Sequence, residues 1–281
     1  QDKLTAILRS VAKKNYRLVV VVNSPGAALI GDDLDQFLKR ELKGTMNFAL
    51  ENTGYSGTFG TGYQNAMLKV LSQLPLQIRA PEKNTVNLLG ASIYQMHYEG
   101  NVNQISRILA RCGIRVRCVP GAGADIDQIA NLTGAQYNLV LYPEYSRHIA
   151  AYLKAEYRMP FIELQEGIPM GYDATEHLIG QVNEIFGTDC TQAQAELEQV
   201  RAKSYLHLSR YSSLLGLPKG ALYSVKAQSS VAYPLCKWLS SYLGMIPASV
   251  GETDDSDPGF ADKLHLYLQD IGYEHVLEAP I

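Results

Sequence analysis

Titratable and aromatic side chains follow four strand-like segments in the middle of the sequence. The loops that hold them are residues 91–101, 120–125, 143–148 and 165–173. In an open parallel sheet, ligands bind beyond the carboxyl ends of the strands, where neighbouring loops diverge. The sequence therefore predicts a pocket at this edge, and its candidate lining side chains are Tyr94, His97, Glu99, Tyr142, Glu144 and Glu166.

These side chains suit two chemical roles. Histidine and glutamate are common general acids and bases, so the catalytic candidates are His97, Glu99, Glu144 and Glu166. The two tyrosines, Tyr94 and Tyr142, are predicted to bind a cofactor or substrate. For each residue taken alone, the alternative is a structural position.

A glycine-rich stretch, TGYSGTFGTGYQNAML at residues 53–68, separates a strand-like run from a helix-like run. Its GxxGxG spacing is not the GxGxxG of a dinucleotide-binding loop, and no GK[ST] follows to hold a nucleotide phosphate. Glycine removes side-chain bulk and lets the backbone approach a ligand closely. Gly57, Gly60 and Gly62 are therefore predicted to lie beside a cofactor that is not a nucleotide.

A second glycine stretch, PGAGAD at residues 120–125, opens a predicted helix. Gly121 and Gly123 could receive an anion there, because the N–H groups of a helix N-terminus point at such a ligand. Asp125 has the alternative role of capping the same helix.

Composition and charge exclude several classes of protein. The 281 residues are 46% hydrophobic and 19% charged, with a formal net charge of −3. Neither nucleic acid nor an anionic membrane surface is an expected partner, because both attract basic proteins. No apolar run approaches the roughly 18 residues that span a bilayer. We expect no signal peptide, a cytoplasmic location and, since the chain starts at Gln1, an internal piece of a longer protein.

The four cysteines do not form a recognisable metal-binding pattern. None occurs in CxxC, and none has a metal-ligand spacing to histidine. Cys112, Cys118 and Cys236 lie in apolar helical or strand patterns and are predicted to be buried structural thiols. Cys190 follows a predicted turn and is expected to be the most exposed.

Strand-like and helix-like segments alternate regularly from residue 83 to residue 187. Strands are predicted at 86–90, 114–119, 137–142 and 161–164, and helices at 101–112, 125–133, 145–157 and 174–186. This order predicts a parallel sheet with helices on both faces.

Shorter strand–helix units flank this region, so the predicted fold class is α/β, with tandem Rossmann-like three-layer αβα domains and parallel sheets. The predicted divisions are a partial first domain at 1–82, a central domain at 83–190, a linking helix at 191–216 and a partial third domain at 217–281. Asp32 or Asp33 is the expected N-cap of a helix at 33–42. The acidic stretch at 252–257 is expected to be a solvated loop.

Several segments, in order, resemble the nitrogenase component 1 family, which includes the nitrogenase molybdenum–iron protein subunits, their cofactor scaffold and dark-operative protochlorophyllide reductase. The segments are LIGDDLDQFLKREL at 29–42, TGYSGTFGTGYQNAM at 53–67, residues 86–116, residues 159–187 and residues 221–250. The resemblance implies Rossmann-like domains around a metallocluster or tetrapyrrole site. It also implies an oligomer with a second component 1-type subunit, which receives electrons from a separate ATP-dependent iron–sulfur reductase.

Two positions depart from the family pattern. Where metallocluster-binding members carry cysteines, this sequence has no thiol near Ser24 and has Tyr142 after a central strand. Iron–sulfur clusters are normally held by thiolates. The resemblance therefore implies that any iron–sulfur cluster or related metallocluster is held by missing segments or by a partner subunit.

Three functions remain open at this point. The favoured one is a subunit that performs a low-potential reduction of an unassigned substrate. The second is a non-catalytic scaffold that holds a metallocluster precursor or a tetrapyrrole, which the missing cysteines favour. The third is a solute-binding module built from two Rossmann-like lobes.

Overall fold

The protein is described by a computed structural model at residues 2–26, 34–51, 54, 57–211 and 218–278. The predicted N-cap at Asp32 or Asp33 lies outside the described residues, as do several residues of the glycine-rich stretch. Three parallel sheets organise the described chain.

The first sheet has two strands. β1 (Leu18–Val22) is a run of β-branched residues, which favour extended backbone, and it pairs in parallel with β2 (Met46–Leu50). Helices α1 (Asp2–Ala12) and α2 (Leu34–Glu41) pack on this sheet. Their buried contacts are made by Leu8, Leu38, Leu42 and Ala49.

The central sheet has four parallel strands in the order β4-β3-β5-β6. They are β3 (Glu82–Leu89), β4 (Arg115–Cys118), β5 (Ala135–Val140) and β6 (Phe161–Glu163). After β3 the chain runs to β4 on one side and then crosses to β5 on the other. The strand order therefore reverses between β3 and β5, and loops diverge at such a reversal.

Five helices cover both faces of the central sheet, which confirms the predicted α/β fold. They are α3 (Phe59–Gln73), α4 (Tyr98–Arg111), α5 (Ile126–Ala130), α6 (Pro143–Tyr157) and α7 (Gly171–Phe186). Adjacent Leu88 and Leu89 face opposite sides, because side chains alternate along a strand. Leu88 packs in the core with α4 and α7, and Leu89 packs with α3, α5 and α6.

The third sheet pairs β7 (Leu222–Ala227) with β8 (Ile246–Glu252) and carries α9 (Ser229–Ser241) and α10 (Pro258–Asp270). Helix α8 (Thr191–Tyr211) leads toward it from the central sheet. Single-turn 3₁₀ helices lie at Leu132–Gly134 and Glu274–Val276. In the described part of the chain, no helix has the length and apolar character needed to cross a membrane. The predicted domain boundaries stay a prediction.

The exposure predicted for Cys190 is wrong. Its side chain is fully buried in the same core as Cys112, because the start of α8 packs there through Ala193. Burial of Cys112, Cys118 and Cys236 is confirmed.

The acidic stretch at 252–257 is not simply a solvated loop. Asp257 is buried, and its carboxylate accepts hydrogen bonds from the N–H groups of Gly259 and Phe260 at the start of α10. It also pairs with Arg147 of α6. The alternation of strands and helices could not show this role, since it depends on a partner 110 residues away.

Candidate functional site

The loops after β3 and β5 form a crevice at the point where the strand order of the central sheet reverses. Gly90 has a positive φ of 90°, and a Cβ at this position would lie 2.6 Å from the carbonyl oxygen of Tyr142. Only glycine therefore lets the two loops approach this closely. The loop after β4 joins them through a hydrogen bond from the Ile93 N–H to the Gly121 carbonyl at 3.1 Å.

Five aromatic rings, which we term the aromatic cluster, line this crevice. Phe59 contacts Tyr94 edge-on with 5.6 Å between ring centroids and contacts Tyr145 edge-on at 5.8 Å. Tyr63 and Tyr142 lie 5.8 Å and 6.3 Å from the Tyr145 ring. Edge-to-face and tilted pairs at these distances are the favourable geometries for aromatic rings.

The aromatic cluster has a buried interior and an exposed rim. Tyr142 and Tyr145 are each 6% exposed, whereas Phe59 is 53% and Tyr94 74% exposed. Burial raises the pKa of both Tyr142 and Tyr145 to about 12, so their phenols are neutral hydrogen-bond donors at neutral pH. The rim offers apolar ring surface to a ligand, and the interior offers phenolic hydroxyls.

The predicted glycine-rich segment reaches the crevice as the first turn of α3. Thr58 caps this helix, and the Gly60 N–H donates a 3.1 Å hydrogen bond to the Asp255 carboxylate from the loop after β8. A Cβ on Gly60 would lie 2.8 Å from the Glu144 carbonyl oxygen. The N-terminus of this helix therefore already holds a carboxylate of the protein itself, and Gly60 serves close packing.

The other predicted glycines occupy different surroundings. Gly57 and Gly62 are exposed, and a Cβ on Gly62 would meet nothing within 4 Å. Gly121 has a φ of 86° and leaves room for the Tyr63 hydroxyl, so it shapes the wall of the crevice. Gly123 is exposed and open, and the short helix beyond it is capped by Asp125 through a capping box.

His97 and Glu99 lie at the start of α4 and are both exposed. His97 has a positive φ of 59° and makes no side-chain capping bond. Glu99 accepts a 3.1 Å hydrogen bond from the Tyr98 hydroxyl. These two groups stand at the outer end of the β3 loop that also carries Tyr94.

Glu144 turns its carboxylate away from the rings and toward α9. The side chain is buried and accepts hydrogen bonds from the Ser230 N–H at 3.1 Å and from the Ser230 hydroxyl at 2.7 Å. Burial raises the pKa of the Glu144 carboxyl, against the opposing effect of these hydrogen bonds.

Glu166 also faces the third sheet unit. Its carboxylate accepts hydrogen bonds from the Tyr233 hydroxyl at 2.9 Å and from Lys237 Nζ at 3.0 Å, with Lys263 Nζ at 3.9 Å. Burial by itself raises the pKa of this carboxyl, but the hydrogen bonds and the two lysine charges together lower it. The structure thus brings Tyr94 and Tyr142 into one cluster and places the carboxylates of Glu144 and Glu166 in inter-sheet contacts.

Sequence reasoning missed five residues of the crevice. Phe59 and Tyr63 enter from α3, Tyr145 from the first turn of α6, Gln228 from the loop before α9, and Asp255 from the loop after β8. The Gln228 side-chain amide donates to the Tyr145 hydroxyl. Tyr145 lies in a loop region that the sequence singled out, and an inspection of every aromatic residue near a predicted strand end would have found it.

Comparison with known proteins agrees with this architecture. A family model described as nitrogenase component 1 type oxidoreductase matches residues 1–279. The chain belongs to this family. The resemblance stated from the sequence is therefore confirmed.

Curated members of the family include a subunit of light-independent protochlorophyllide reductase from several bacteria. The Methylocella silvestris protein is 33% identical over 139 residues, which cover 50% of this chain and 26% of the relative. The Prosthecochloris aestuarii protein is 28% identical over 194 residues, or 66% of this chain and 35% of the relative. The chain thus spans roughly a quarter to a third of these relatives.

Two solved structures of nitrogenase Cp1 share the fold. The one at pH 6.5 has a TM-score of 0.73 and 19% identity, and covers 90% of this chain and 48% of that chain. The one at pH 5 has a TM-score of 0.74 and 18% identity, and covers 96% and 56%.

The residues present do not fit an iron–sulfur cluster, which requires thiolate ligands. Over the described ranges, no three His, Cys, Asp or Glu side chains form a group that could hold a metal ion. All four cysteines are buried, and burial raises the pKa of the Cys118 thiol to about 12 and that of Cys236 to about 11. No reaction step is therefore assigned to a cluster held by these residues.

Proposed function

We propose that this chain is part of a nitrogenase component 1-type subunit that carries out a low-potential reduction. A separate ATP-dependent iron–sulfur reductase supplies the electrons, and a second component 1-type subunit completes the oligomer. The observation that carries the proposal is the aromatic cluster in the crevice between β3 and β5, in a chain that belongs to this oxidoreductase family.

The crevice suits an extended, conjugated substrate. The exposed faces of Phe59 and Tyr94 offer a surface on which flat rings can stack. The neutral phenols of Tyr142 and Tyr145 can donate hydrogen bonds to polar atoms of the same molecule. The relatives named protochlorophyllide reductase support a substrate of this class, and protochlorophyllide is the first probe to use.

The predicted site residues divide into two groups under this proposal. His97 and Glu99, which are exposed beside the Tyr94 loop, are proposed to deliver protons during reduction. Glu144 and Glu166 are proposed to act indirectly, by holding α9 against the central sheet. Gly60 and Gly121 are proposed to shape the cofactor or substrate site through the close contacts that they permit.

The test uses the full-length protein, purified without oxygen together with its neighbouring gene products. ATP- and reductase-dependent reduction of protochlorophyllide is measured for the unchanged protein and for the Tyr94→Ala and Phe59→Ala variants. We expect each variant to raise the KM about tenfold, since one stacking ring contributes roughly 1–1.5 kcal/mol. Tyr16→Ala, an exposed tyrosine beside β1, is the control. Unchanged kinetics in both variants would refute the placement of the site.

A second candidate function is a non-catalytic scaffold for a tetrapyrrole or a metallocluster precursor. The burial of all four cysteines favours it, because no thiol of this chain is available as a ligand. A scaffold would bind the pigment and show its absorption band, and the band would not change when ATP, reductase and reductant are added. Loss of the band with formation of a reduced product would support the oxidoreductase.

A further inference from the structure

A second cavity lies outside the aromatic crevice, in a groove between α4, α7 and α8. Its volume is about 330 Å³, which is within the size range of small-molecule sites. The face of α9 that carries Trp238 forms its far wall. We call it the side groove.

The floor of the side groove is apolar. Ile108 comes from α4, Met170 and Ile179 from the region of α7, and Leu197 from α8. Val200, one turn along α8, is 49% exposed at the edge of the groove. A hydrocarbon chain or ring placed here would leave water for an apolar surface, at about 25 cal/mol per Å² buried.

One rim of the side groove is cationic. Arg107 and Arg111, one turn apart on α4, share a single carboxylate from Glu196 on α8. Two guanidinium groups therefore face one carboxylate, which leaves one positive charge at the rim. An apolar floor under a cationic rim matches a ligand with a hydrocarbon body and an acidic head.

Arg111 is the better placed of the two arginines to hold that head. It contacts Glu196 through Nε at 3.4 Å, and within the described chain its terminal nitrogens have no hydrogen-bond partner. The terminal nitrogens of arginine bind a carboxylate in a bidentate geometry. Arg107 is more occupied, because its Nε also donates to Gln104 at 3.2 Å.

The Trp238 wall depends on a glycine. Gly171, the first residue of α7, has a φ of 75°, and a Cβ there would lie 2.7 Å from Cδ1 of the indole. The absence of a side chain lets the indole lie against the backbone of α7. The side groove is thus closed by the unit that carries the third sheet, and Trp238 is the only tryptophan in the sequence.

We propose that the side groove binds a small amphipathic carboxylate, with its acid group on Arg111 and its hydrocarbon body along the floor. The site is separate from the reaction proposed for the aromatic crevice. Octanoate is the probe, and octanamide is the matched neutral compound of the same length. Binding to the full-length protein is measured by calorimetry and by the fluorescence of Trp238, with Trp238→Phe identifying that signal.

We expect octanoate to bind saturably and more tightly than octanamide. Arg111→Gln should weaken octanoate binding roughly tenfold, because it removes a charge-assisted bidentate contact, and should leave octanamide binding unchanged. Val200→Glu, at an exposed helix position, should abolish octanoate binding without unfolding the protein. Arg115→Gln, on β4 and away from the groove, is the matched control.

Three results would each overturn the proposal. They are no saturable binding of octanoate at millimolar concentration, equal affinity for octanoate and octanamide, and an Arg111→Gln variant that binds octanoate as the unchanged protein does.

Discussion

The carboxylate of Glu144 accepts both polar hydrogens of Ser230, from the N–H at 3.1 Å and from the hydroxyl at 2.7 Å. Glu144 lies in the first turn of α6 and Ser230 in the first turn of α9. A carboxylate in this position is favoured by the partial positive charge of the helix N-termini. This buried contact joins the central sheet unit to the third sheet unit at the base of the aromatic cluster.

Removing the Ser230 hydroxyl should weaken the junction. Ser230→Ala deletes the shorter of the two hydrogen bonds to a buried carboxylate, so we expect the free energy of unfolding to fall by about 1–3 kcal/mol. Urea unfolding followed by Trp238 fluorescence reports on the same helix. Ser241→Ala, at the exposed end of α9, is the control and should change stability by less than about 0.5 kcal/mol. Equal effects of the two variants would contradict the buried junction.

Glu144 should make stability fall as pH rises. Its pKa in the folded protein is raised above the ordinary value of 4.5 by burial. Its contribution is therefore fully present below pH 4.5 and is lost as pH rises through the raised folded pKa. Unfolding measured from pH 4 to pH 8 should show this loss in the unchanged protein, and Glu144→Gln should lack it. Parallel pH profiles would show that the carboxyl does not titrate in this way.

Glu166 should have the opposite pH dependence. Its folded pKa is lowered below 4.5, so its contribution is present above pH 4.5 and is lost as pH falls through the lowered value. Glu166→Gln should cost about 1–2 kcal/mol of unfolding free energy at pH 7, because it weakens hydrogen bonds from Tyr233 and Lys237 to a charged acceptor. The difference from the unchanged protein should shrink as pH falls below 4.5. Glu156→Gln, at an exposed position on α6, serves for comparison.

Two glycines in the same helix should respond to alanine with opposite signs. Gly60→Ala puts a Cβ 2.8 Å from a backbone oxygen, so the backbone must shift, at a cost of about 1–3 kcal/mol. Gly62→Ala meets nothing within 4 Å and should stabilise α3 by about 0.4–1 kcal/mol. Thermal unfolding of the two variants gives the comparison. A stabilised Gly60→Ala variant would show that the first turn of α3 does not pack as described.

The four thiols should resist modification in the folded protein. All are buried, and burial raises the pKa of Cys112, Cys118 and Cys236, so little reactive thiolate forms. Mass spectrometry after iodoacetamide treatment at pH 8 should find the four cysteines unmodified in buffer and fully modified in guanidinium chloride. Rapid labelling of Cys190 in buffer would restore the exposed position that the sequence suggested.

The central sheet could be predicted because its signals are local. Alternating apolar residues and the glycines after helices indicate strands and helices within a few residues, and β3, α4, β4, β5 and α6 all lie where these signals place them. The crevice position followed from the strand order, since the loops at strand ends are adjacent in any such sheet.

The partners of the site residues could not be predicted in the same way. Glu144 finds Ser230 at a separation of 86 residues, and Glu166 finds Lys237 at 71. Nothing in the sequence around either glutamate differs between a free carboxylate at a strand end and one that holds a neighbouring unit. The docking of the third sheet unit decides between the two, and that docking is set by packing over the whole interface.

The hydrogen bond between Gly60 and Asp255 has a consequence for synthesis of the protein on the ribosome. Its two ends are separated by 195 residues, so at about 5–20 residues per second the second end follows the first by on the order of 10–40 s. During that interval the first turn of α3 and its Phe59 ring have no carboxylate to hold them. The nascent chain therefore exposes an apolar ring at this point, and the rim of the crevice is a place where a chaperone would bind before Asp255 emerges.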